Sequence, residues 1–100
     1  MIYSKYHSIE EIKQAIHPIA FYSRELQEMK SNVQKKWIVA GLCPFHEDRH
    51  TGSFYIHSQT GSFICHSCGT KGKDIIAFLE RRYQLTFKEA IEKLINEWRM

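Results

Sequence analysis

Four side chains near the middle of the chain have the types and spacing to hold a transition metal. Cys43 and His46 form a Cys-x2-His pair, and Cys65 and Cys68 form a Cys-x2-Cys pair. Two intervening residues let a tight turn aim both donors inward while backbone N–H groups face the sulfurs. Zinc takes four such ligands in a tetrahedron. Eighteen residues separate the pairs, enough for a hairpin. Two turns can then face each other across one ion, which is a zinc ribbon. Gly69 directly follows Cys68 and suits the left-handed backbone of such a turn. His50 could replace His46 through a longer loop, whereas His66 lies inside the Cys-x2-Cys turn, where its side chain should point outward. Iron fits a sulfur-rich tetrahedral set as zinc does.

Two other readings use the same residues. Three unrelated buried cysteines and a surface histidine would need no metal. A catalytic zinc would need an open coordination position and a base, for which Glu47 and Asp48 qualify by adjacency alone. Four available ligands favour a closed, structural site. Three cysteines are an odd number, which does not suit a closed disulfide framework. Three thiolates with Zn2+ sum to −1, which offsets part of the chain's +3 net charge.

The chain is 100 residues long, one domain's worth, with 43% hydrophobic and 25% charged residues. That is a globular composition, but a chain this short buries a modest core, so a metal would add stability. The charge excess is uneven. Residues 1–40 hold six Lys/Arg against four acids, residues 41–73 three against two, and residues 74–100 five against five. Such a balance permits nucleic-acid binding without demanding it. The uncharged run from Trp37 to Phe45 is nine residues, far below the ~20 of a spanning helix. The N-terminus has no signal-type apolar run, so the expected compartment is the cytoplasm.

The elements that must position the four donors follow from local pattern. Ser8 and Glu11 make a capping box opening a helix over 9–16, with Ile9, Ile12 and Ile16 on one face. Pro18 starts a second helix to about Lys30, with Ile19, Tyr22 and Leu26 inward. Residues 31–36 form a turn. Residues 37–41, 53–57 and 61–65 are β-branched or aromatic runs, and Ser58 to Gly61 is hairpin punctuation. Asp74 caps a helix over 75–83. Thr86 and Glu89 form a second capping box, opening a helix to about Trp98 with Phe87, Ala90, Ile91, Leu94, Ile95 and Trp98 in one stripe. The organisation expected is a single zinc-binding domain over 1–100, divided into a helical part (1–36), the ribbon (37–72) and C-terminal helices (73–98).

The order Gly41-Leu-Cys-Pro-Phe-His46, Gly52-Ser-Phe54, Cys65-x-x-Cys68-Gly69, Gly72-x-Asp74 with Phe78, and Phe87-x-Glu89-Ala90 with Leu94 resembles the N-terminal zinc-binding domain of bacterial and phage DNA primases. The resemblance covers about residues 41–98. It implies an α+β fold, a zinc ribbon on a small antiparallel sheet flanked by helices. It implies one structural Zn2+ held by Cys43, His46, Cys65 and Cys68. It implies contact with single-stranded template DNA for primer initiation in DNA replication, with a primase catalytic domain or a helicase as partner. Polymerisation in that family belongs to a downstream catalytic domain, and the acids here form no cluster for nucleotidyl transfer. Gly52 stands where chromosomal primases usually have Pro, His66 where they have an aromatic, and Lys73 where they have Gly. These departures fit primase-like proteins of plasmids, phages and integrated elements.

Single-stranded DNA needs cations along its backbone and aromatic faces for its bases. Strand alternation puts Phe54 and Ile56 on one face and Tyr55 and His57 on the other. The expected contact surface is Lys36, Arg49, Tyr55, His57, Lys71 and Lys73, with Arg81 and Arg82 as an alternative patch. The competing function is a protein-docking zinc ribbon, using the apolar last helix with Trp98 to engage a helicase or polymerase.

Overall fold

The computed structural model describes residues 8–26, 29, 35–47 and 52–98. The order is α1 (Ile9–Ala15), α2 (Pro18–Glu25), β1 (Trp37–Val39), β2 (Phe54–His57), β3 (Phe63–Cys65), β4 (Lys71–Gly72), α3 (Ile75–Tyr83) and α4 (Phe87–Glu97). The strands form one antiparallel sheet in sequential order, and the helices pack on one of its faces, an α+β architecture.

Side-chain caps set the helix starts. At α1, Ser8 Oγ accepts from the Glu11 N–H at 3.1 Å and Glu11 Oε1 accepts from the Ser8 N–H at 2.7 Å. The same reciprocal pair joins Thr86 and Glu89 at α4. Asp74 Oδ1 accepts from the Ala77 N–H at 2.8 Å, while its Oδ2 lies 3.2 Å from Lys13 Nζ, so one buried carboxylate caps α3 and ties it to α1. Pro18 opens α2, whose first turn is capped by His17 Nδ1 accepting from the Ile19 N–H.

The second helix is shorter than the sequence pattern suggests. It stops at Glu25, because Leu26 turns extended (φ −121°, ψ 110°) and drops into the core. The first strand stops at Val39 rather than residue 41; Gly41 has a positive φ of 85° and turns the chain toward Cys43. Lys71 and Gly72 form a fourth strand, beyond the three runs that the sequence pattern marks. Phe87, expected in the buried stripe of α4, is 40% exposed; Ala90, Ile91 and Leu94 are the buried positions.

Register decides what each face carries. Ile38, Ile56, Phe63 and Gly72 align across all four strands toward the helices. Val39, Tyr55, Ile64 and Lys71 align on the opposite face. Under the sheet, Phe21, Tyr22, Phe54, Phe63 and Phe78 are fully buried. The Tyr22 hydroxyl donates to the Gly61 carbonyl at 2.6 Å, tying α2 to the β2–β3 turn. Burial, with help from the Asp74 and Glu25 charges, pushes that hydroxyl's pKa well above its ordinary value. Among the described residues, no helix is long and apolar enough to cross a membrane.

Gly72 is needed for close approach. A Cβ there would overlap the Phe63 ring and press on Ala77. Phe63 is held between Phe45, Phe54 and Phe78 and cannot withdraw freely. Gly72→Ala is therefore expected to destabilise the fold by about 1–3 kcal/mol, read as a lower denaturant midpoint. An unchanged midpoint would mean that β4 shifts without cost.

Candidate metal centre and sheet groove

An antiparallel meander places the β1–β2 and β3–β4 connections at one end of the sheet. Cys43 and His46 lie in the first connection, Cys65 ends β3, and Cys68 lies in the second. Their ligand atoms all fall within 4.8 Å of one another. Cys43 Sγ lies 3.9 Å from Cys68 Sγ, and Cys65 Sγ lies 3.5 Å from His46 Nε2. A tetrahedron with metal–sulfur bonds near 2.3 Å and a metal–nitrogen bond near 2.0–2.1 Å has edges of roughly 3.8 and 3.6 Å. The donor set and its spacing therefore fit one four-coordinate ion. His66 is exposed and outside the cluster, and His50 lies outside the described residues.

Backbone groups support the sulfurs. The Phe45 N–H points to Cys43 Sγ and the Cys68 N–H to Cys65 Sγ, each at 3.4 Å. The Cys65 N–H donates to Thr70 O and the Gly69 N–H returns to Cys65 O, both at 2.8 Å, with Gly69 at φ 80°. Thr70 Oγ1 lies 3.2 Å from Cys68 Sγ. For the thiols alone, burial pushes Cys43 up to about 12, against the pull of the Phe45 N–H. Slight burial also raises Cys68, but the Thr70 hydroxyl and N–H outweigh it, with the Cys65 and Cys43 thiols, and bring it to about 7. Phe45, between the first two donors, stacks on Phe63 at 5.5 Å and meets Phe78 edge-on at 5.4 Å. The first ligand turn is thus pinned to the core.

Beside this centre, the open sheet face forms a shallow groove of about 820 Å3. Tyr55, Lys71 and Lys73, three of the expected contact residues, line it together. Lys36 is exposed before β1 but does not line it. His57 lies against Trp37 at 5.0 Å, and its Nδ1 accepts from the Gln59 and Thr60 N–H groups. Arg49 lies outside the described residues. The groove also holds Trp37, Ile64 and His66, which the expected surface left out, and Arg81 from the alternative patch. Alternation from Tyr55 could have found Trp37, which pairs with His57 on the same face. Trp98 is partly buried, stacked on Phe21 at 6.4 Å with the Arg24 guanidinium over its ring.

The CHC2 zinc finger family matches residues 4–100. The chain belongs to that family. Among curated relatives, a DNA primase of Myxococcus xanthus is 30% identical over 91% of this chain and 14% of its own length. A DNA primase of Thermotoga maritima is 33% identical over 86% of this chain and 14% of its own length. The CHC2 domain thus spans about a seventh of these relatives. A solved structure of the zinc-binding and RNA polymerase domains of the Aquifex aeolicus primase aligns over 90% of this chain and 21% of that one, with a TM-score of 0.71 and 27% identity.

The family resolves the choice between iron and zinc. A CHC2 finger with a Cys-His-Cys-Cys cluster takes one structural zinc. The domain is the zinc-binding module of the DNA primase family, and it shares that module's fold.

Proposed function

We propose that this chain contacts single-stranded template DNA for primer initiation, with Cys43, His46, Cys65 and Cys68 holding the zinc. The zinc is structural. It fixes the end of the sheet from which β2, β3 and β4 present their outward side chains. Support for DNA as the ligand comes from one observation: the groove on that face joins aromatic rings to Lys71, Lys73 and Arg81. Stacking surfaces beside cations are what single strands require. Nucleotidyl transfer would fall to a primase catalytic domain, with a helicase as a further partner.

The test is fluorescence anisotropy of the zinc-loaded chain on labelled single-stranded and duplex oligonucleotides across a salt series. Single strands are expected to bind better. Their log K should fall with log salt at a slope near −2, since each of three phosphates contributes about 0.7. Lys71→Glu with Lys73→Glu should weaken binding and flatten the slope. Equal affinity of that double variant, or no binding at low salt, would overturn the reading.

A further inference from the structure

We infer that the single strand lies in the groove with its two edges sorted, its bases over the β1–β2 side with Trp37 as stacking platform and its phosphates along the β4–α3 side. This rests on the single-strand reading of the same sheet face.

The groove is chemically asymmetric. Across the sheet, Trp37 lies on β1, Tyr55 on β2 and Lys71 on β4; Lys73 follows β4 and Arg81 comes from α3. Rings therefore line one side and cations the other. All three cations are exposed and none forms an ion pair among the described residues. Neighbouring strands are about 4.8 Å apart, so the outer strands stand roughly 14 Å apart. Bases and phosphates of one strand fit side by side within that width. Exchanging the two edges would set phosphates against Trp37 and bases against the cations.

Trp37 is placed for this role before any ligand arrives. It is 46% exposed, a large apolar ring left open to solvent. It is also held in place. Its ring meets His57 edge-on at 5.0 Å and 88°, and His57 is itself fixed by two backbone N–H donors from its turn. A prefixed ring loses little freedom on stacking. The Tyr55 and His66 rings, 5.3 Å apart, continue the aromatic side. Trp98 is the chain's other tryptophan and is packed on α2, so quenching by a strand on the sheet would report Trp37.

The experiment compares the zinc-loaded wild type, Trp37→Ala, Trp37→Phe and Lys71→Ala on oligo-dT and on a matched strand with abasic residues. Trp37→Ala should bind oligo-dT about 10-fold more weakly with an unchanged salt slope. Trp37→Phe should recover most of that loss. On the abasic strand, wild type and Trp37→Ala should bind alike. Lys71→Ala should lower the salt slope by about 0.7 on both strands. The inferred placement of the bases is overturned if wild type binds oligo-dT but Trp37→Ala binds equally well, or loses as much on the abasic strand. No binding of either strand by wild type at low salt would overturn the single-strand reading itself, and this inference with it.

Discussion

A Cys65→Ser chain is expected to lose its zinc and, with it, the cooperative unfolding transition of residues 37–78. Cys65 is fully buried at the end of β3. Its sulfur faces His46 Nε2 at 3.5 Å and takes the Cys68 N–H, while its backbone closes the β3–β4 turn through Thr70 and Gly69. Serine keeps the shape but removes the thiolate. Magnitudes decide the outcome. A structural zinc contributes on the order of 10 kcal/mol of apparent binding energy that is also folding energy. A domain of this size has about 5–15 kcal/mol of net stability in all. Losing most of the first term leaves little of the second. The check is a calorimetric scan with zinc content by native mass spectrometry. Cys68→Ser separates metal from packing, because Cys68 is exposed and lies outside the buried core. It should fall to a similar transition, as should the chelated wild type. An unchanged transition in either variant would overturn the metal-based account.

The metal site was legible because its logic is local. Each Cys-x2-ligand pair sits within one turn, so spacing alone fixes the pair; that the two turns meet needed only a hairpin between them. Strand faces were legible for the same reason. Alternation put Phe54 and Ile56 on one face and Tyr55 and His57 on the other, and the first pair is the buried one. What was missed depends on contacts distant in sequence. β4 is two residues long and includes Gly72, so it carries no alternation to read. Phe21 falls out of phase with Ile19 and Tyr22, yet it is buried because Trp98 and Phe78 close on it from α4 and α3. Phe87 shows the converse. It has the helical spacing of a core residue, but it is the first residue of α4 and remains open to solvent. Arg81 joins the groove only because α3 packs beyond β4. Trp37 lies 44 residues before Arg81, so that the two share one groove waits on tertiary structure.

Phe78→Ala is expected to destabilise the fold by about 3–5 kcal/mol and to weaken zinc binding, although Phe78 is not one of the four donors. Its ring, fully buried on α3, meets Phe21 at 5.7 Å, Tyr22 at 5.1 Å, Phe45 at 5.4 Å and Phe63 at 5.6 Å. One side chain therefore bridges α2, the first ligand turn and β3. Such edge-on contacts contribute about 0.5–1.5 kcal/mol each beyond area burial. They share one ring, so they do not simply add. The link to zinc runs through Phe45, whose N–H faces Cys43 Sγ and whose ring loses a neighbour. A ligand that binds only the folded state stabilises it by mass action, and anything that favours unfolding weakens its apparent affinity. Phe78→Ala should thus show a midpoint at least ~12 °C lower, at roughly 4 °C per kcal/mol, and earlier zinc loss to a competing chelator. Excess zinc should recover part of the midpoint. Phe87→Ala, on an exposed ring, should change stability by no more than about 0.5 kcal/mol. A Phe78→Ala chain that lost stability while holding zinc as tightly as wild type would place the aromatic core and the metal centre in separate cooperative units.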